Sequence, residues 1–221
     1  MSSTGADDLR APLHRDRVLA AAIVLADRDG IGALTMRSLG AALGVQAMSL
    51  YNHVANKDDV LDAITDLVVA EIDPPRPEEP WKASMLRRGS SARAVLLRHP
   101  WAPALLMSRA NVGPGMLRYV DATLRCLLAA GFTLPQADHA WNAMDSFIYG
   151  FVLQELNFPF QKETYAAVAA AYLPGLSAEQ YPAMHALTSL VAAGRHDGVH
   201  TLELGLGLIL DGLERELAAA G

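Results

Sequence analysis

With a single cysteine, Cys126, in 221 residues, the chain has no means of building an intramolecular disulfide framework. One lone thiol fits a reducing cytoplasm, where it serves as a small buried hydrophobe. Charged residues are also few, 19% against 52% apolar, and that balance permits a well-buried core. Long apolar runs are missing. VLAAAIVLA, from Val18 to Ala26, falls far short of the roughly 20 residues needed to cross a bilayer, so no membrane partner is expected. The N-terminus carries Asp7 and Asp8 where a signal peptide would place basic and then apolar residues. The chain has no GxSxG, no HExxH, no glycine-rich phosphate loop and no Cys-His pairing, so nucleophilic catalysis has no support and no catalytic residue is assigned. Of the scattered histidines only His196 and His200 stand four apart, with Gly198 between them and no third ligand nearby, and neither a metal nor a cofactor is expected.

The net charge of -6 argues against a polyanionic partner until it is divided along the chain. Between Arg10 and Lys57, six Lys and Arg face three Asp, a local excess of +3, while the acidic residues concentrate further on. Only the N-terminal part is therefore suited to approach phosphate. A modest +3 per subunit also favours a dimer.

The stretch TMRSLGAALGVQAMSLYNHVANK, from Thr35 to Lys57, is the most informative part of the chain. Met36, Leu39 and Leu43 recur at helical spacing, Gly44 interrupts them, and Val45, Leu50 and Val54 supply a second inward-facing set. The pattern predicts a helix-turn-helix. Thr35 is positioned to cap its first helix and Arg37 to stand exposed in the first turn. The second helix, expected over 46–53, leaves Gln46, Ala47, Met48, Ser49, Asn52 and His53 outward, groups able to enter a major groove. Gln46 can donate and accept at a base edge, Ser49 can bond a base or a phosphate, and Ala47 or Met48 can touch a thymine methyl. Asn52 suits base contact or solvent equally, and Tyr51 either meets DNA or packs against the helix expected at about 15–28.

The segment from Leu39 to Lys57, with its LG.ALGV....LY.HV.NK pattern, resembles the DNA-binding domain of the tetracycline-repressor (TetR) family of bacterial transcription regulators. The resemblance implies that Tyr51, His53 and Lys57 clamp phosphates and that the positions of Thr35 and Arg37 lie at the DNA backbone. Where many members carry a charged or glycine residue around Ala47-Met48, this chain is apolar.

Residues 1–12 read as a flexible arm in which Arg10 could reach DNA, followed by a DNA-binding domain over 13–57 and a connecting helix over 58–73. Asn56 is a good N-cap for that helix, and the four prolines between Asp73 and Pro80 end it. No Gly-Ser spacer accompanies them, so the connecting helix is expected to stay packed on the domain over 74–221. That domain reads as helix after helix, at about 81–98, 101–108, 114–130, 135–156, 163–172, 179–193 and 200–219, which makes the fold all-α.

The first four of those helices carry large, adaptable side chains. Trp101, Leu105, Met107, Met116, Trp141 and Phe147, with Asn142 and Asp145 as polar groups, are candidates to line a pocket for a small, mainly apolar effector. LLRHPW, SFIYGFVLQE and LELGLGLILDGLE resemble the C-terminal domain of the tetracycline-repressor subgroup. This implies dimerisation through a four-helix bundle built from the 135–156 helix and the last helix, with Phe151, Leu202, Leu206, Ile209 and Leu213 as candidate contacts. The HPW context of His99 departs from the relatives that bind a drug-magnesium chelate, and no ligand role is assigned to it. The whole reading is an all-helical, homodimeric, cytoplasmic regulator, most simply a repressor, released from a double-stranded operator by a small molecule. The alternative is a helical ligand-binding protein or enzyme with a vestigial helix-turn-helix.

Overall fold

The computed structural model describes residues 12–159, 162–196 and 201–219, and among these there are eleven α-helices and no strand. The expected arm, Arg10 included, lies outside the described residues apart from Pro12, and so does His200. Helix α1 (Arg15–Asp29) buries Val18, Leu19, Ala22, Leu25 and Ala26 on the one stripe that an amphipathic helix offers a core. Thr35 and Ser38 start α2 (Met36–Leu43) with a reciprocal capping box: the Thr35 hydroxyl accepts from the Ser38 amide and the Ser38 hydroxyl from the Thr35 amide. Gly44 then turns the chain at φ 69°, ψ 26°, a left-handed conformation that a side chain would resist.

Helix α3 is shorter than the expected 46–53 and spans only Ala47–Leu50. Beyond Met48 the chain tightens into bonds from Tyr51 N to Met48 O and from His53 N to Leu50 O, so residues 51–53 continue as turns. Asn56 caps α4 (Lys57–Ala70), its side-chain Oδ1 accepting from the Asp59 amide, and Asp58 and Asp59 occupy the first turn, where the helix dipole favours negative charge.

The proline segment after α4 is fastened to the next helix. Asp73 N donates to the Ser91 hydroxyl, Arg76 N to the Ser84 hydroxyl, and Arg87 Nη2 to the Pro74 carbonyl. Helices α5 (Trp81–Arg98), α6 (Ala102–Ser108), α7 (Pro114–Ala129), α8 (Leu134–Leu156) and α11 (Leu202–Ala219) make one body, because α5 packs on α8 and α11 while α7 packs on α4 and α8. Met85, Leu96, Leu127, Met144, Ile148 and Leu206 are fully enclosed there, and Cys126 is buried beside them. Helices α9 (Tyr165–Tyr172) and α10 (Pro182–Ala192) pack chiefly on each other.

Candidate nucleic-acid interface and its link to the C-terminal domain

Leu50 and Val54 anchor the reading segment in the core, and this turns its polar side outward. Met48 is 75% exposed and Tyr51 45%, so Tyr51 takes the outward alternative in this structure. Gln46, Asn52 and Lys57 are exposed on the same stretch, Thr35 and Arg37 stand exposed at the start of α2, and Ala47, Ser49 and His53 are half-buried.

A group that the pattern did not single out holds this segment in place. Arg15, at the start of α1, donates from Nη1 and Nη2 to the two carboxylate oxygens of Asp59, at 2.9 and 2.7 Å, and from Nη1 to the His53 carbonyl at 3.2 Å. Asp59 also accepts from the Ala55 amide at 2.8 Å. The Arg15 bond holds the Asp59 carboxyl down at about 2, from an ordinary 3.8, against the opposing effect of burial. Arg28 is spent on Asp29. Two of the basic residues counted toward phosphate thus serve the fold, and Arg37 and Lys57 remain outward-facing on the reading surface.

The head is tied to the rest of the molecule at two places. On α1, Asp27 accepts from Trp101 Nε1 at 2.7 Å and lies 2.8 Å from His99 Nδ1, while His99 Nε2 lies 3.4 Å from Glu71. On α4, Asp58 and Asp62 accept from Arg109, and the Asp66 carboxylate accepts from the Gly115 and Met116 amides at 2.9 and 2.8 Å. Asp66 therefore caps the N-terminus of α7 from a different helix. The approach is close enough that a Cβ on Gly115 would fall 2.4 Å from the Asp66 carbonyl oxygen, and one on Gly113 would fall 2.3 Å from its carboxyl carbon. A cleft of about 400 Å³ opens at this joint, lined by Arg15, Asp59, Asp62, Asp66, Asn111 and Pro114 among others, and its carboxylates are already engaged.

Inside the C-terminal domain lies a polar centre whose hub, Arg88, composition and periodicity did not reveal. Arg88 is fully buried and donates from Nη1 to the Tyr119 hydroxyl at 2.6 Å and to Asp145 Oδ1 at 2.8 Å, with Thr123 Oγ1 at 3.4 Å. Asp145 Oδ1 also takes the Tyr119 hydroxyl, and its Oδ2 accepts from Trp141 Nε1 at 2.8 Å and from the Tyr149 hydroxyl at 3.1 Å. Burial is the largest single effect on Arg88 and works against its charge, but Asp145 together with Tyr119 and Tyr149 outweighs it, and the net result is a raised pKa. Burial likewise pushes Tyr119 and Tyr149 well up, so both phenols stay protonated donors. Arg88 Nε and Nη2 have no hydrogen-bond partner among the described residues, an arrangement that costs about 1–3 kcal/mol per donor.

The candidate pocket residues fare unequally. Trp141 and Asp145 belong to this centre, and Leu105, Met116 and Phe147 are half-buried against the core. Trp101 instead belongs to the joint with α1, since its indole N–H is spent on Asp27 and its ring is buried. Met107 is 59% exposed, and Asn142 turns back to Asp138 on the surface, because both project from the outer sides of their helices.

Known proteins bear on this arrangement. Residues 18–64 match the model of the bacterial regulatory proteins of the tetR family, and residues 73–217, about two thirds of the chain, match that of the tetracyclin repressor-like C-terminal domain. The chain belongs to the tetracycline-repressor family. An HTH-type transcriptional regulator of Saccharopolyspora erythraea is 37% identical over 175 residues, 78% of this chain and 73% of that protein. Tetracycline repressor protein class A of Escherichia coli is 31% identical over 207 residues, 92% of this chain and 91% of that one. The solved structure of the Streptomyces coelicolor TetR family protein ActR in complex with actinorhodin superposes with a TM-score of 0.80 at 29% identity, covering 96% of this chain and 100% of that one.

In this tetracycline-repressor-type chain the candidate dimer contacts divide. Leu202 and Leu206 are buried against their own protomer, packed over Gly89 of α5, and Leu206 comes within 2.5 Å of where a Gly89 Cβ would stand. That side of α11 is core, which corrects the expectation that these two leucines face a partner. Phe151, Ile209 and Leu213 are half-buried. Leu204 and Leu208, one helical turn apart and 63% and 67% exposed, form the outward apolar strip of the same helix. The sequence pattern marked only the strip through Leu202 and Leu206, and the position of α5 places that strip inside and leaves Leu204 and Leu208 outward.

Proposed function

We propose that the protein is a homodimeric, ligand-responsive transcription repressor that acts in the cytoplasm, binds a pseudo-palindromic DNA operator and leaves it when a small molecule enters the C-terminal domain. The observation that carries the reading is the outward row of Gln46, Met48, Tyr51 and Asn52, held by Arg15 on a head that α4 joins to a ligand-sized helical domain. Gln46, Ala47, Met48, Ser49 and Asn52 serve as the base-reading set, with Thr35, Arg37, Tyr51, His53 and Lys57 on phosphate. A relative solved in complex with actinorhodin supports the binding of a small molecule. The effector prefers a conformation whose two heads no longer match half-sites one turn apart, so its binding and DNA binding oppose each other by the same factor.

Selection of random duplexes by the full-length protein at about 150 mM salt, where unspecific phosphate binding is suppressed, tests the reading. Enrichment of a two-fold symmetric sequence is expected. A folded protein that enriches nothing would return the weight to a ligand-binding protein with a vestigial head.

A further inference from the structure

We propose that the effector is an apolar molecule bearing a carboxylate, and that Arg88 receives that carboxylate through the paired N–H groups of its Nε and Nη2. The inference rests on the effector-binding reading above and assigns the chemical class of the guest.

The hydrogen-bond inventory of the buried centre is one-sided. Asp145 already accepts four donors, two on each oxygen, which fills the capacity of a carboxylate. Arg88 spends only Nη1 on protein, and the opposite edge of its guanidinium is without a partner among the described residues while being wholly enclosed. Nε–H and one Nη2–H point the same way in one plane, a fork whose spacing matches the two oxygens of a carboxylate. The charge on Asp145 is shared with Tyr119, Trp141 and Tyr149 as well as with Arg88, so the far edge of the guanidinium keeps attraction for a second anion. Phosphate or sulfate esters could meet the same fork, but they bring a third anionic oxygen for which no donor is provided here. Enclosed methionines flank the two partners along their helices, Met85 one turn before Arg88 on α5 and Met144 next to Asp145 on α8, and the half-buried Trp141 bonds Asp145 directly. Methionines repack around a guest more readily than branched side chains do. An apolar body with one acid group satisfies both parts of the site.

The test uses the full-length protein with isotope-labelled arginine and two probe acids, naphthoate and anthroate, each against its methyl ester. The Arg88 Nε–H resonance, identified by its loss in Arg88→Lys, is followed during titration, and binding is measured by calorimetry. Lysine keeps a charge beside Asp145 but lacks the planar fork. Expected are a shift of the Arg88 resonance by at least one acid, at least tenfold weaker binding of the matching ester, and a comparable loss in R88K that still melts cooperatively. If R88K does not fold, the acid-to-ester ratio in the unaltered protein decides alone. Equal binding of acid and ester, acid binding that survives in R88K, or an Arg88 resonance that neither acid moves would overturn the proposal. An acid that binds at Arg88 and leaves operator affinity unchanged would instead sink the effector reading while the site stands. Esters that release DNA where acids do not would leave that reading in place and remove this one.

Discussion

At the scale of single residues, the reading segment separates side chains that hold it from side chains that face DNA. Tyr51→Ala and Lys57→Ala leave the buried anchors Leu50 and Val54 untouched, so both variants should fold and bind every duplex more weakly. For Lys57 the slope of log affinity against log salt should fall by about one contact's worth, which a binding titration at several salt concentrations measures. Gln46→Ala should instead relax preference at one position of the selected sequence, at a cost of about 1–3 kcal/mol against the best operator. Asp59 has a different signature. Its folded-state pKa, about 2, lies below the ordinary 3.8, so its contribution to stability is complete above about pH 4 and disappears as pH falls toward 2. Melting curves of the native protein and Asp59→Asn should differ at neutral pH, by about 1 kcal/mol for a partly exposed pair, and converge in acid. A gap that persists at the acid end would remove Arg15–Asp59 as the cause.

At the scale of elements, the sequence foretold most helix starts because their signals are local. Thr35, Asn56 and Thr133 each cap the helix that follows, and Pro114 sits in the first turn of α7, where its missing N–H costs nothing. The extent of α3 was not legible, since the turn after Leu50 is set by where Val54 must be buried and not by propensity. The polar centre was less legible still: Arg88 and Asp145 lie 57 residues apart, and neither has a neighbour in sequence that announces the pair. The joint between α4 and α7 can be probed at Gly115. Gly115→Ala places a methyl group against the Asp66 carbonyl, and the two helices must part to admit it. A stability loss of about 1–3 kcal/mol is expected in thermal denaturation. Gly32→Ala, where an added Cβ meets nothing within 4 Å, is the matched control and should stay within about 0.5 kcal/mol.

At the scale of the whole molecule, the exposed strip of Leu204 and Leu208 is the place to interrupt assembly. Leu208→Glu adds a charge where apolar area is now open to water, so the protomer should keep its stability while self-association is lost, as sedimentation would register. A variant that stays dimeric would move the interface elsewhere. The last consequence is mechanical. Helix α4 is held in its third turn, at Asp66, and nearer its start by the Arg109 bonds to Asp58 and Asp62, so once those surface bonds yield, nine residues, or about 13 Å of stiff helix, separate pivot from tip. A tilt of about 10° at the pivot carries the tip sideways by about 2 Å, and two protomers tilting in opposite senses change the distance between tips by up to about 5 Å. On the proposed operator, with half-sites about 34 Å apart, that is a gear ratio: a small rotation at Asp66 becomes a mismatch that both heads feel at once.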